Sequence, residues 1–240
     1  MTPVQTSASP DNCHTDHAPV FAGAGRVAGA HDDGWSVVSD EGQLREVVGY
    51  PIQRVAEKAR PALHELDRLW LAASPLCLLA TAAADGSCDV SPKGDPPGFT
   101  HVLDSRTIAI PDRPGNRRVD GFCNVLENPH VGLIFLIPGR EDTLRINGTA
   151  QLVREAPFLD EMVVNEHRPR LALVVHIEEI FHHCSKALLR SSLWDPSSWA
   201  PERVPSRPQI ARTLERPDES LQQLEEYYGP GYAERLYRLA

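Results

Sequence analysis

The chain has 240 residues, 41% of them hydrophobic, which is enough for one substantial core and a smaller additional unit. Its net charge of -9 argues against sequence-independent binding to nucleic acid, which needs a basic surface. No apolar run reaches the roughly 18 residues of a membrane span, and the N-terminus lacks the pattern of a secretory signal. We therefore expect a cytoplasmic protein that binds neither nucleic acid nor membranes.

The beginning of the chain predicts a leader followed by helices. Residues 1–36 are rich in Ala, Gly, Pro, Ser, His and Asp without periodicity, which predicts a disordered or loosely packed segment. Within residues 55–73, apolar side chains recur three and four positions apart, which predicts an amphipathic helix.

From Leu76 onward, short apolar or alternating runs separated by turns predict β-strands. Gly148, inside one of these runs, predicts a bulge or a close backbone approach. Two helices, over residues 119–128 and 155–167, are predicted between strands. The predicted strands cover residues 76–81, 88–91, 107–110, 131–137, 143–153 and 170–177.

Six strands joined by tight turns favour a closed antiparallel barrel over a sheet built from βαβ units. We predict a mainly β domain with flanking helices over residues 37–200. Residues 201–240 predict a Pro-rich linker and an amphipathic helix.

The run from Ile110 to Arg118 points most directly to function. It places Arg113, Arg117, Arg118 and an asparagine around a Pro-Gly turn, between a predicted strand and a predicted helix. Arginine offers a planar fork of donors to phosphate oxygens, and a helix N-terminus adds unpaired N–H groups. The run predicts a pocket for a phosphorylated small molecule, and the alternative is a solvated basic turn.

Other polar residues favour structural roles. Asp95, between Gly and Pro residues, predicts an Asx turn rather than an acid–base group. His182 and His183 are adjacent on a predicted strand and so point to opposite faces, which predicts no metal site. His176 alternates with apolar residues and predicts a core histidine.

Several long motifs, in order, resemble the pyridoxamine 5'-phosphate oxidase-like, FMN-binding split-barrel proteins. The resemblance covers about residues 37–200 and is strongest in one branch of the family. The motifs are SPKGDPPGF at 91–99, IPDRPGNRR at 110–118, NPHVGL at 128–133, and CSKA at 184–187 followed by LWDP at 193–196.

The resemblance implies a six-stranded split β-barrel that forms a homodimer, with FMN in clefts between the subunits. It places Ser91 and Lys93 near the flavin or its phosphate, and Thr143 on an adjacent strand. The remaining implied contacts are Pro111, Asp112 and Arg113 along the ribityl chain and ring edge, Asn116, Arg117 and Arg118 at the phosphate, and Lys186, Arg190 and Trp194 from the partner subunit.

The function implied is that of an FMN-dependent oxidoreductase acting on a small organic substrate. A flavin performs the redox step itself, so the sequence need not contain a catalytic triad, and it identifies no catalytic residue. The chain lacks the Arg-x-x-Leu-Leu-Lys signature and the C-terminal Arg- and His-bearing motif of true pyridoxamine phosphate oxidases, so vitamin B6 is not the expected substrate. The alternative is a non-catalytic flavin- or haem-binding protein used for sensing, storage or partner regulation.

Overall fold

In the computed structural model, residues 34–237 are described, so the predicted leader lies outside this range except for its last three positions. These residues form a mainly β fold built on one antiparallel sheet with flanking helices, as predicted. The strands are β1 Leu76–Ala82, β2 Cys88–Gly94, β3 His101–Val102, β4 Thr107–Pro111, β5 His130–Leu136, β6 Thr143–Val153 and β7 Ala172–His183.

The sheet has seven strands in the order β2-β1-β5-β6-β7-β4-β3, rather than the predicted six. The additional strand, β3, is two residues long and pairs with β4, so it is too short for an alternating pattern to reveal. Within residues 34–237 no ladder joins the edge strands β2 and β3. The prediction of a closed barrel is therefore wrong at the level of backbone pairing.

The helices differ more from the predictions than the strands do. The helix predicted over 55–73 is divided, because Pro61 lacks an N–H group and separates two shorter helices. The helix predicted over 155–167 is a 3-10 turn at Pro157–Met162. The α-helices are α1 Glu41–Val48, α2 Gln53–Ala56, α3 Glu65–Ala73, α4 Asp120–Glu127, α5 Lys186–Ser191, α6 Arg207–Leu214 and α7 Leu221–Tyr227, and the other 3-10 turns are Pro196–Ser198, Pro201–Arg203 and Pro230–Arg235. None of the helices between residues 34 and 237 combines the length and the apolar character that crossing a membrane requires.

The core lies against one face of the curled sheet. Leu79, Phe135 and Ile146, from three different strands, are fully buried there. Each such side chain contributes about 1.5–3 kcal/mol relative to exposure. Helix α4 packs against the same core through Phe122 and Val125, so the hydrophobic face of α4 fixes where its N-terminus points.

A buried hydrogen bond and a bulge complete the framework. Asn124 of α4 donates through Nδ2 to Thr81 Oγ1 on β1, 3.1 Å away, and both side chains are buried. The β6–β7 register shifts at Gly148, as predicted, and a Cβ there would lie 1.9 Å from the carbonyl oxygen of His176. No residue with a side chain fits at position 148 without moving β7. His176 itself is exposed, so the prediction of a core histidine is wrong.

Candidate cofactor cleft

A cleft of about 1030 Å³ lies between β2, the turn that follows β4, the N-terminus of α4 and the 166–170 loop. Strands β2 and β4 are far apart in the sheet order, so the sheet must curl to bring them to one cleft. Eight of the predicted cofactor-binding residues line it together: Ser91, Lys93, Pro111, Asp112, Arg113, Asn116, Arg117 and Arg118.

Lys93, on β2, lies opposite Asp112, which directly follows β4. Lys93 Nζ lies 3.7 Å from Asp112 Oδ1 and 4.2 Å from the centroid of the Phe122 ring. Burial raises the pKa of the Asp112 carboxyl above its ordinary value, and the opposing effects of Lys93 and Arg113 do not fully offset it. The Lys93 ammonium group is thus held over the Phe122 ring, where β2 and the turn after β4 meet in the cleft.

Arg113 lines the cleft but is already engaged by the protein. Its Nε donates to Asp95 Oδ2 at 2.5 Å, its Nη1 to the carbonyl of His167 at 3.1 Å, and its Nη2 to the carbonyl of Met162 at 2.7 Å. Arg113 therefore holds the 162–167 loop against the cleft. Asp95 is an acceptor for this arginine rather than the Asx-turn residue we expected.

The Pro-Gly turn presents its remaining basic residues next to α4. Asn116 Oδ1 accepts a hydrogen bond from the backbone N–H of Arg118 at 3.0 Å, and Arg118 Nε donates to Asp120 Oδ2 at 2.5 Å. Arg117 lies between them with an exposed side chain and a left-handed backbone, at φ 64°. In this structure Asn116 shapes the turn, and the turn displays two arginines at the cleft rim.

Helix α4 begins at this rim without a capping side chain. Its N-cap residue, Val119, provides no side-chain acceptor, so the first N–H groups of α4 are not capped from that position. A Cβ at Gly121 would lie 2.9 Å from Asp89 Oδ2 and 3.7 Å from Ser91 Oγ, so this glycine allows the first turn of α4 to approach β2 closely. The helix N-terminus, Arg117 and Arg118 form a donor set suited to a phosphate.

Four other predicted residues do not line the cleft of their own chain. Thr143 is buried at the start of β6. The cleft residue Pro111 lies near the other end of β6, because Ala172 pairs both with Pro111 and with Val153. The ten residues from Thr143 to Val153 span roughly 33 Å along the strand. Lys186 and Arg190 lie on α5, and Trp194 Nε1 donates to the carbonyl of Arg140 at 2.7 Å. That Lys186, Arg190 and Trp194 contribute to the cleft of a partner subunit stays a prediction.

The structure adds residues that the sequence analysis missed. The loop at 166–170 contributes Arg168 and Arg170. The two arginines in its sequence, EHRPR, are a second basic cluster that could have indicated an anion-binding segment. Arg168 Nε donates to Asp160 Oδ1 at 2.5 Å. Tyr237 also lines the cleft, and its hydroxyl donates to Asp95. No local pattern in the sequence connects a tyrosine to an aspartate 142 positions earlier.

The histidines near the end of β7 belong to a different part of the molecule. His182 Nε2 lies 3.2 Å from Asp67 Oδ1, and its ring packs edge-on against Trp70 at 5.2 Å. Across residues 34–237, no group of three His, Cys, Asp or Glu side chains is arranged to hold a metal ion.

The antiparallel sheet, with α4 packed on it, has the split-barrel type of fold. The profile of the pyridoxamine 5'-phosphate oxidase family matches residues 63–184, half of the chain. The chain belongs to this family. Among curated protein sequences, none matches it.

Several solved structures are similar to part of the chain. HupZ of Group A Streptococcus is 18% identical with a TM-score of 0.41, over 50% of this chain and 93% of that one. General Stress Protein 26 of Bacillus anthracis is 13% identical with a TM-score of 0.38, over 50% and 94%. The FAD binding protein of Mycobacterium smegmatis is 20% identical with a TM-score of 0.35, over 52% and 97%.

Proposed function

We propose that this protein is an FMN-dependent oxidoreductase that binds its cofactor in the cleft between β2, the 111–119 turn and α4. One observation carries the proposal: residues from two separate segments of a chain of this family, each proposed for FMN from the sequence, line a single cleft. The donor set at the cleft rim suits a phosphate, and Gly121 allows the first turn of α4 to lie close to β2.

In this proposal, the Pro-Gly turn tethers the cofactor. Arg117 and Arg118 would bind the phosphate from their side chains, and the first turn of α4 would add backbone N–H groups.

Lys93 has a different role in the proposal. FMN would supply the hydride or electron transfer. Lys93 would hold a positive charge at Nζ where negative charge develops on the flavin, and such fixed charges are most effective in a site that excludes water. The chain's Phe122 ring and the Asp112 carboxyl keep that ammonium group in place.

The same proposal includes a cytoplasmic homodimer with the cofactor between subunits. Lys186, Arg190 and Trp194 lie away from their own cleft, so a second copy would have to supply them. The substrate would be a small organic molecule other than a B6 vitamer, because the signatures of true pyridoxamine phosphate oxidases are missing.

The test is the absorption spectrum of the purified protein, followed by mass spectrometry of the released cofactor. We expect a yellow protein that releases FMN, is bleached by NADH or NADPH under nitrogen, and recovers its colour in air. A protein that neither carries nor takes up flavin would refute the proposal. Bound FMN that no nicotinamide reduces would favour the non-catalytic alternative, a flavin-binding protein used for sensing or storage.

A further inference from the structure

The 166–170 loop forms one wall of the cleft and is held in place by backbone hydrogen bonds. Val164 and His167 exchange two of them, of 3.2 Å and 2.9 Å, across a turn whose two central residues have left-handed backbones, at φ 49° and 64°. Arg113 donates to the carbonyl group of His167 at 3.1 Å. The loop therefore presents its side chains to the cleft from an ordered backbone, which lowers the entropy lost when a ligand binds.

Arg170 ends this loop beside the start of the turn that follows β4. The carbonyl group of the next residue, Leu171, accepts a hydrogen bond from the N–H of Asp112 at 2.8 Å. Arg170 thus lines the cleft near Asp112, at the end of the turn that the proposed function gives to the ribityl chain and the ring edge of FMN. The phosphate site lies at the other end of the turn, next to α4.

The guanidinium group of Arg170 differs from three other guanidinium groups of the cleft because it is unpaired. Arg113, Arg118 and Arg168 each donate to a carboxylate of the protein. The side chain of Arg170 is exposed, and it makes no hydrogen bond or ion pair with any residue from 34 to 237. Its planar fork of donors suits a carboxylate or a phosphate group that enters the cleft from outside.

We propose that Arg170 is a substrate-binding residue, and that the substrate is a small organic anion whose carboxylate or phosphate group pairs with this guanidinium beside the flavin ring. The inference rests on the proposed function, from which it takes the orientation of FMN. The cleft has the room, because its volume of about 1030 Å³ exceeds the roughly 300–1,000 Å³ typical of a pocket for one small ligand. Arg170 would therefore bind the substrate, whereas Arg117 would bind the cofactor.

The experiment uses the FMN-loaded, full-length protein and two matched probes, benzoate and its neutral analogue benzamide. Both probes can stack on a flavin, but only benzoate carries a negative charge. The change in the absorption spectrum of bound FMN measures their dissociation constants. Benzoate should bind to the wild type at least tenfold more tightly than benzamide, and in Arg170→Gln this preference should fall below about threefold.

Phenyl phosphate, compared with phenol, extends the test to the second anionic group. A preference for either anion over its neutral analogue that depends on Arg170 supports the inference, and the anion with the larger preference indicates the acidic group of the substrate. An anion that acts only by displacing FMN, seen as a rise in free-flavin fluorescence, binds at the phosphate site. That outcome would overturn the inference.

Arg168→Gln is the matched control. It removes the same charge from the same loop, but the Arg168 guanidinium already pairs with Asp160, at 2.5 Å between Nε and Oδ1. The preference for benzoate should stay within about threefold of the wild-type value. A loss as large as that of Arg170→Gln would show that the overall charge of the loop attracts the anion, and would contradict the assignment to Arg170.

The outcomes separate this inference from the function on which it rests. If the wild-type protein binds no FMN, the proposed function fails and the inference fails with it. If it binds FMN but prefers neither anion, or if Arg170→Gln keeps the preference, only the inference is overturned. The FMN dissociation constant of Arg170→Gln should equal that of the wild type, and loss of FMN binding would make Arg170 a cofactor residue and overturn the inference equally.

Discussion

The three arginines of the Pro-Gly turn have different surroundings. Arg113 donates three hydrogen bonds, one to Asp95 and one to each of two backbone carbonyl groups. Arg118 pairs with Asp120, and the Arg117 side chain is exposed at the cleft rim. The sequence predicted that basic residues gather at this turn. It could not predict that Arg113 would be engaged by the protein itself, because Asp95 and the carbonyl groups of Met162 and His167 are distant in the chain.

Arg117→Ala should weaken FMN binding at least tenfold and leave the thermal unfolding midpoint nearly unchanged. A hydrogen bond to a charged group contributes about 1.5–3 kcal/mol, and about 1.4 kcal/mol is a factor of ten in the dissociation constant. Flavin titration and thermal unfolding of the same preparations measure both. Arg154→Ala is the control, because the Arg154 side chain is exposed. Within residues 34–237, its ion pair is with the neighbouring Glu155. Unchanged FMN affinity in Arg117→Ala would remove the residue from the phosphate site.

At the scale of elements, one buried carboxylate joins helix α3 to the sheet. Asp67 accepts from Arg60 Nη1 at 2.6 Å, from Arg60 Nη2 at 2.9 Å and from the N–H of His64 at 2.8 Å, and it contacts His182 of β7. The backbone of Arg60 also pairs with Ile180 of β7. The segment before α3 is thus tied to the longest strand by both side-chain and backbone bonds.

Asp67→Asn should destabilise the protein at pH 7 by about 1–2 kcal/mol, less than for a fully buried pair because the Arg60 side chain is partly exposed. Burial acts to raise the pKa of Asp67, but the Arg60 and His64 bonds outweigh it and hold this pKa below its ordinary value. The stabilisation is therefore present above about pH 3.9, the unfolded value, and is lost as the pH falls through the lower folded value.

Urea unfolding of the wild type and Asp67→Asn at pH 7 and at pH 3 tests this expectation. The difference in the free energy of unfolding should shrink at pH 3. Glu65→Gln, which removes an exposed pairing with Arg68, should have almost no effect at either pH. A difference for Asp67→Asn that is the same at both pH values would contradict the assigned ion pair.

The elements themselves were predictable where local patterns decide them. The alternating runs gave six of the seven strands, and the Pro-Gly and Asn-Pro signals bounded α4. Helix α6 was missed although Ser206 and Gln209 form a capping box, because its few apolar residues give weak periodicity. The irregular path of residues 155–167 depends on Arg113, which no local signal reveals.

At the scale of the whole molecule, apolar side chains are exposed along the segment that contains α1. Trp35 is 70% exposed, Val47 76% and Tyr50 79%, and α1 buries none of its residues. Such a surface is unusual for a protein that stays monomeric. Together with the position of Lys186, Arg190 and Trp194 away from their own cleft, it supports the proposed homodimer.

Light scattering coupled to size-exclusion chromatography should give twice the mass of 26.5 kDa over a range of concentrations. We expect the same result with and without FMN, because burial of the apolar surface does not depend on the cofactor. A monomer that nevertheless binds one FMN per chain would exclude a cofactor site shared between subunits.

The anchoring of Tyr237 to Asp95 also orders events during synthesis. Translation at about 5–20 residues per second separates these two residues by roughly 7 to 30 seconds. The last five strands, β3 to β7, are made in that interval, after β1 and β2. A nascent chain therefore completes its sheet before the last wall of the cleft exists. A flavin that joined the chain at that stage would meet an open-sided cleft, and the tyrosine would close it afterwards.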